Sequence, residues 1–222
     1  MVPLNTLDKL YDIAEGQAGY FTTSQAEAVG VDRPRLSRFA VAGRVQRVRR
    51  GVYRLTHFPR SRHEDLFIAW LETGPDSVIS HDSALLLYDL SDALPAEIHV
   101  TVPRTASRRR HGLRLHTNRI GPGDITHYEG LPVTTVPRTI ADVSLTGLSD
   151  ELVEQAAREA VLRALATPEG LLAEAGRRSG RLGQVIRRAL DSTGRPAFGE
   201  VRLSPRPFKN QPEVQMTQAG ID

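Results

Sequence analysis

Cysteine is absent from the 222 residues, and with it go disulfides and thiolate zinc sites. A cytoplasmic protein is compatible with that lack. Lysine is scarce as well, present only at Lys9 and Lys209, so nearly all positive charge is carried by arginine. That bias fits a GC-rich genome and is a matter of coding rather than physics. No run of about 18 apolar residues occurs, and no basic-then-apolar leader opens the chain, which argues against a membrane span and a secretory signal. Catalytic signatures are missing too. There is no GxSxG elbow, no HExxH helix and no glycine-rich phosphate loop ending in Gly-Lys. The histidines His57, His63, His81, His99, His111, His116 and His127 form only loose pairs without close metal-ligand spacing. No catalytic residue, metal or cofactor is expected, and the chain reads as a non-enzyme.

What is present is ordinary in bulk and uneven in place. Apolar content of 40% and charged content of 25% are those of a soluble globular protein. The length suffices for one large or two small domains with a real core. Net charge is only +3, yet residues 32–60 carry many arginines and a single acid, Asp32. A basic cluster of that kind suits a nucleic-acid surface.

Local signals within 22–55 predict two helices, a tight turn between them and a basic hairpin. Thr22 with Gln25 three residues on has capping-box spacing. Gly30 can end the first helix in the left-handed conformation. Asp32 suits the next N-cap, and Pro34 is tolerated in a first turn because its missing amide would be unpaired there. Leu36, Phe39 and Ala40 then share one helical face, while Pro34, Ser37, Arg38 and Val41 point the other way and Arg35 flanks them. Val45, Val48, Val52 and Leu55 supply strand residues, and Gly51 sits where the hairpin must turn. This is the grammar of a winged helix-turn-helix, with a recognition helix over 33–42 for the major groove and a wing over 45–55 for phosphates or the minor groove. Arg33, Arg35, Ser37 and Arg38 on the helix, and Arg47, Arg49, Arg50 and Tyr53 on the wing, are the candidate DNA contacts.

Along the rest of the chain, residues 3–15 read as a helix packing on these two, and His57–Arg60 as a linker broken by Pro59. From Ser61 the periodicity changes. A helix carries Leu66, Phe67, Trp70 and Leu71; a brief strand lies at Val78-Ile79; Ser80 is placed to cap a helix over 82–88. Ile98, Val100 and Val102 alternate with His99 and Thr101. Further strands are expected around Leu113 and Leu115, over 125–128 and over 131–136, the last two turning at Glu129-Gly130. Pro137 starts a helix, and Ser149, Thr167-Pro168 and Gly180 open three more. From Ser192 periodicity is lost. The expected class is α+β: an N-terminal winged helix-turn-helix (1–57), then a mixed α/β domain ending in helices (61–190), then a flexible tail (192–222).

Two sets of motifs point to one family. RVRRGVYRL at the end of the wing resembles the winged-helix domain of AbiEi-type antitoxins. SHDSALLLYDL at 80–90, IHVTVP at 98–103 and LPVTTVPRTIADV at 131–143 resemble the second domain of the same family, so the likeness spans roughly residues 4–175. The resemblance implies an antitoxin of a type IV toxin–antitoxin pair. Its N-terminal domain would bind inverted repeats in the double-stranded DNA of its own promoter and repress the operon. Its second domain would counter a nucleotidyltransferase toxin, with direct contact not assumed. His81, Arg138 and Asp142 are the candidate residues of that second domain. Arg138 and Asp142 have the i, i+4 spacing of a helical ion pair, worth a few tenths of a kcal/mol on a surface, and a structural role is the favoured reading. Two rivals stand beside this one: a winged-helix regulator whose second domain senses a ligand or dimerises, and an enzyme with a degenerate nuclease domain. Some winged-helix relatives carry a nuclease domain; none is expected here, because the chain leaves too little length after its second unit and no paired acidic residues with a lysine appear in its last part.

Overall fold

The computed structural model describes residues 6–91, 95–106 and 108–193; most of the expected tail, 194–222, lies outside them. The chain is mixed α/β. Its first sheet has three strands and its second has five, and helices close the described chain.

The N-terminal unit follows its local signals. Helix α1 spans Thr6–Glu15, strand β1 Tyr20–Thr22, α2 Thr23–Ala28 and α3 Arg33–Val41, and a hairpin joins β2 (Val45–Arg49) to β3 (Val52–Leu55). Thr22 and Gln25 form the reciprocal capping box. The Asp32 side chain accepts from the Arg35 amide at 2.9 Å. Gly51 turns the hairpin at φ +80, a region that costs a residue with a Cβ. Leu10, Ala14, Phe21, Ala26, Val31, Leu36, Val45 and Leu55 make a small core of their own.

The three-stranded sheet, in the order β1-β3-β2, is a wall between two cores. Phe21 faces Tyr53, and Val45 faces Leu55, on one side; that side packs on α1–α3. Tyr20 pairs with Arg54 on the other. There Tyr20 and Val52 join the larger core. The next helix, α4 (Glu64–Thr73), lies against this second side. The Tyr20 and Phe67 rings stack at 6.5 Å, and the Tyr20 hydroxyl donates to Glu64 at 3.0 Å. Burial, then the Glu64 carboxylate, push the phenol up to about 12, so it remains a neutral donor. His57–Arg60 forms no element, as expected of a connection, but the base of the wing is clamped by α4 rather than free of it.

Gly19 enters β1 at φ +85, and a Cβ there would lie 2.6 Å from Phe58. Gly19→Ala therefore combines a left-handed alanine with overpacking, and a loss of about 2 kcal/mol is expected. Urea unfolding should show it as a lower midpoint with an unchanged slope; an unaltered midpoint would contradict the packing described.

The second unit is built on a five-stranded mixed sheet in the order β6-β5-β4-β8-β7. Its strands are β4 Val78–Ile79, β5 Ile98–Thr101, β6 Leu113–His116, β7 Ile125–Tyr128 and β8 Leu131–Thr134. β4 pairs antiparallel to β5 and parallel to β8; β5 and β6 run parallel; β7 and β8 form the hairpin turned at Glu129-Gly130. Helices α5 (His81–Leu87) and α6 (Val136–Leu145) pack on it. Then α7 (Asp150–Leu162), α8 (Pro168–Arg178) and α9 (Gly180–Thr193) form a helical end. Ser149 and Thr167 cap α7 and α8 as their spacing predicts. Ser80 sits at the N-cap of α5 but makes no capping bond. Its hydroxyl instead accepts from Thr101 at 2.8 Å and meets His81 Nδ1 at 3.0 Å.

Candidate nucleic-acid interface

Helix α3 buries Leu36 and half-buries Phe39 and Ala40 while Pro34, Ser37, Arg38 and Val41 are exposed. That is the two-faced pattern the i, i+3, i+4 spacing predicts. Val41 is 88% exposed, an apolar side chain one turn from Arg38 on the outer face. Residues 32–60 hold nine arginines and one acidic residue. Arg38, Arg47, Arg49 and Arg50 are exposed, and among the described residues none of them has an ion-pair partner. At the helical end Arg177 and Arg178 pair with Glu174, and Arg181 and Arg188 with Asp150, while Arg108, Arg109, Arg114, Arg119 and Arg187 are exposed and, among the described residues, unpaired like the N-terminal group.

The remaining candidates are more committed. Arg33 is exposed but its Nε lies 3.2 Å from Glu27, an exposed pair worth about 0–1 kcal/mol that a phosphate could displace. Arg35 is half-buried, its guanidinium 5.7 Å from the Phe39 ring centroid. Tyr53 is also half-buried and stacks on Phe21 at 6.0 Å, so its ring belongs largely to the core. Arg47 stands opposite it in the hairpin, and a bulge between Arg47 and Arg49 bends the strand before the Arg49-Arg50 tip. Arg44 was not among the candidates. It is exposed at the end of α3, its guanidinium 5.9 Å from the same Phe39 ring. Arg54, of the same basic run, is buried and donates to the carbonyls of Leu55, Thr56 and Phe58. It fastens the chain leaving the wing and does not face solvent.

In the second unit the sequence candidates separate. Arg138 and Asp142 do pair, at 2.8 Å on α6, but both are only 1% exposed. Arg138 also reaches Asp124 at 3.0 Å and the Arg119 carbonyl at 3.1 Å. The few tenths of a kcal/mol that suit a surface helical pair do not apply here, because a buried charge left unpaired is far costlier than an exposed one. Burial outweighs the guanidinium and raises the Asp142 pKa. The pair ties α6 to the β6–β7 connection.

His81 lies elsewhere, fully buried at the start of α5, with φ +51. The sequence shows no close ligand spacing among the histidines, yet three of them converge. His99 and Thr101 alternate onto one face of β5, and the parallel register sets Thr101 beside His116 on β6. His116 therefore shares that face, and the first residue of α5 packs onto it. The His81 and His116 rings stack at 3.5 Å, and His99 lies 5.1 Å from His116. Burial lowers all three pKa values, to about 3 for His81 and about 4 for His116. The neighbouring rings act the same way on His81, and Asp82 opposes burial at His99. All three rings are neutral at pH 7.

Residues 8–56 match a family model described as "Transcriptional regulator, AbiEi antitoxin". The matched span covers α1 to the wing and ends before the motifs at 80–90, 98–103 and 131–143. A search of curated proteins found no match. Among solved structures, the crystal structure of the RV2827C protein from Mycobacterium tuberculosis is similar, at 14% identity and TM-score 0.49, covering 85% of this chain and 76% of that one. Among the described residues no helix is long and apolar enough to cross a membrane.

Proposed function

We propose that this protein is a cytoplasmic DNA-binding antitoxin of the AbiEi type. It represses its own operon and opposes a nucleotidyltransferase toxin of a type IV pair, without catalysing a reaction itself. Residues 1–57 form the DNA-binding domain and residues 61–190 the antitoxin domain, whose last helix, α9, runs on through Ser192 and Thr193 of the expected tail. The observation that carries the reading is the group of exposed arginines without ion-pair partners: Arg38 on α3, and Arg47, Arg49 and Arg50 on the wing. They lie within the segment that matches a regulator family.

The physics assigns different tasks to the two elements. Ser37, Arg38 and Val41 enter the major groove, where Arg38 takes the two acceptors of a guanine edge and Val41 can meet a thymine methyl. The wing arginines neutralise phosphates, so affinity falls with salt by a log–log slope of about 0.9 per contact. The hairpin turn is held by the Thr23 amide on the Gly51 carbonyl at 2.9 Å, and the exposed Arg49 and Arg50 side chains beside it are the part offered to the duplex.

Gel-shift titrations with the full chain and its promoter test the assignment. Arg38→Ala should weaken specific binding by about 1–3 kcal/mol and relax preference at one base position. Arg49→Ala should weaken binding equally on all sequences and reduce the salt slope by about one. Unchanged affinity and preference in Arg38→Ala would remove the major-groove assignment. An Arg49→Ala loss confined to one operator position would contradict the phosphate role. Co-expression with the neighbouring nucleotidyltransferase tests the other half. The full-length chain carrying both Arg38→Ala and Arg49→Ala should lose repression and still rescue growth, and failure to rescue by wild type would end the antitoxin reading.

A further inference from the structure

We propose that His81, His99 and His116 form a three-imidazole site for a divalent transition metal of the zinc class, a feature independent of the DNA-binding reading.

One nitrogen from each ring lies within 4.8 Å of the others. His81 Nε2 and His116 Nε2 are both buried without a hydrogen-bond partner. A buried polar atom left unsatisfied is costly, so two in one cluster call for an occupant. Water does not explain their choice of residue as well as a metal does, since imidazole is the neutral nitrogen ligand that suits zinc, copper and nickel. Rings held neutral by burial are in the protonation state that ligation needs.

The surroundings supply the expected support. Asp82 Oδ2 lies 3.0 Å from His99 Nδ1, although off the line of a good ring N–H bond. A carboxylate beside a histidine is the arrangement that fixes a ligand tautomer, here leaving Nε2 as the lone pair. Ser80 performs the equivalent service for His81 Nδ1 at 3.0 Å, which leaves the orphaned Nε2 for the metal. This accounts for the hydroxyl that does not cap α5. His81 also holds a positive φ, the local strain that clusters at functional positions. His99 and Asp82 border a groove with Glu97 and Arg114, a path for entry and for a fourth ligand. Zinc–nitrogen bonds of about 2.0–2.1 Å require the three nitrogens to close up. The stacked rings of His81 and His116 must tilt, because imidazole lone pairs lie in the ring plane. The bound ion would pin the start of α5 to β5 and to the edge strand β6.

The test uses tag-free, full-length protein stripped with a chelator and then titrated with Co2+ and with Zn2+. One equivalent of Co2+ should bind with visible d–d bands of a nitrogen-rich tetrahedral site, Zn2+ should displace it, and the melting temperature should rise. His116→Gln, on the edge strand, should abolish stoichiometric uptake. Asp82→Asn should weaken it by about 10–100-fold. His127→Gln, an exposed histidine on β7, should bind as wild type does. Failure of the stripped wild-type chain to take up either metal overturns the proposal, as does full binding by His116→Gln or equal loss in His127→Gln.

Discussion

Arg138→Met is expected to cost about 3–5 kcal/mol of stability, far more than a helical i, i+4 ion pair normally contributes. The side chain is nearly the right volume and would fill the space. What it cannot do is compensate Asp142, which is 1% exposed and whose other charged neighbours, Arg178 and Glu174, oppose each other. Asp124, at 21% exposure, can turn partly to water; Asp142 cannot. The Arg119 carbonyl also loses its donor, so the β6–β7 connection should loosen with α6. A double variant, Arg138→Met with Asp142→Leu, removes the stranded charge and should recover much of the loss. Chemical denaturation of wild type, Arg138→Met, the Asp142→Leu single variant and the double variant gives the coupling directly. A single variant within 1 kcal/mol of wild type, or a double variant no better than the single, would show that the network is not what holds these segments.

Acid should unfold the metal-stripped protein through a window set by its histidines. His81 and His116 have folded pKa values of about 3 and about 4 against 6.5 in the unfolded chain; those of His99 and His63 are lowered too. Between those limits the unfolded state binds more protons than the folded one, so stability is complete above pH 6.5 and falls as pH drops. Each strongly depressed ring contributes a slope of about 1.4 kcal/mol per pH unit. The charges around them do not reverse this. Arg114 reinforces burial at all three clustered rings, while Asp82 opposes it at His99 and Glu129 opposes it at His63. Glu129 and Glu151, whose pKa values are lowered, act only below the carboxylate range. Urea midpoints should therefore hold from pH 7.5 to about 6.5 and decline steadily from there to pH 5, and His116→Gln should flatten the decline by one ring's share. A flat profile between pH 6.5 and 5 would mean that the histidine cluster is open to water.

Features that depend on a few neighbouring residues were legible without coordinates. The Thr22–Gln25 box, the Asp32, Ser149 and Thr167 caps and the Glu129-Gly130 turn all form within four residues of chain, where spacing alone sets geometry. The two faces of α3 follow from helical periodicity for the same reason. Ser80 marks the limit of that reasoning: its position is a cap, but Thr101 and His81 take the hydroxyl.

By itself, then, the sequence determined the local elements, the class of the fold and the concentration of arginine between 32 and 60. Tertiary structure alone decided which charges are solvated and which side chains meet. Arg54 and Arg50 are equivalent in a basic run, yet one is buried beside the Tyr20 ring and the other stands exposed at the hairpin turn. His99 and His116 are seventeen positions apart, and nothing in their spacing brings them together. The parallel β5–β6 register does, because strand alternation assigns each ring a face and the pairing makes those faces one.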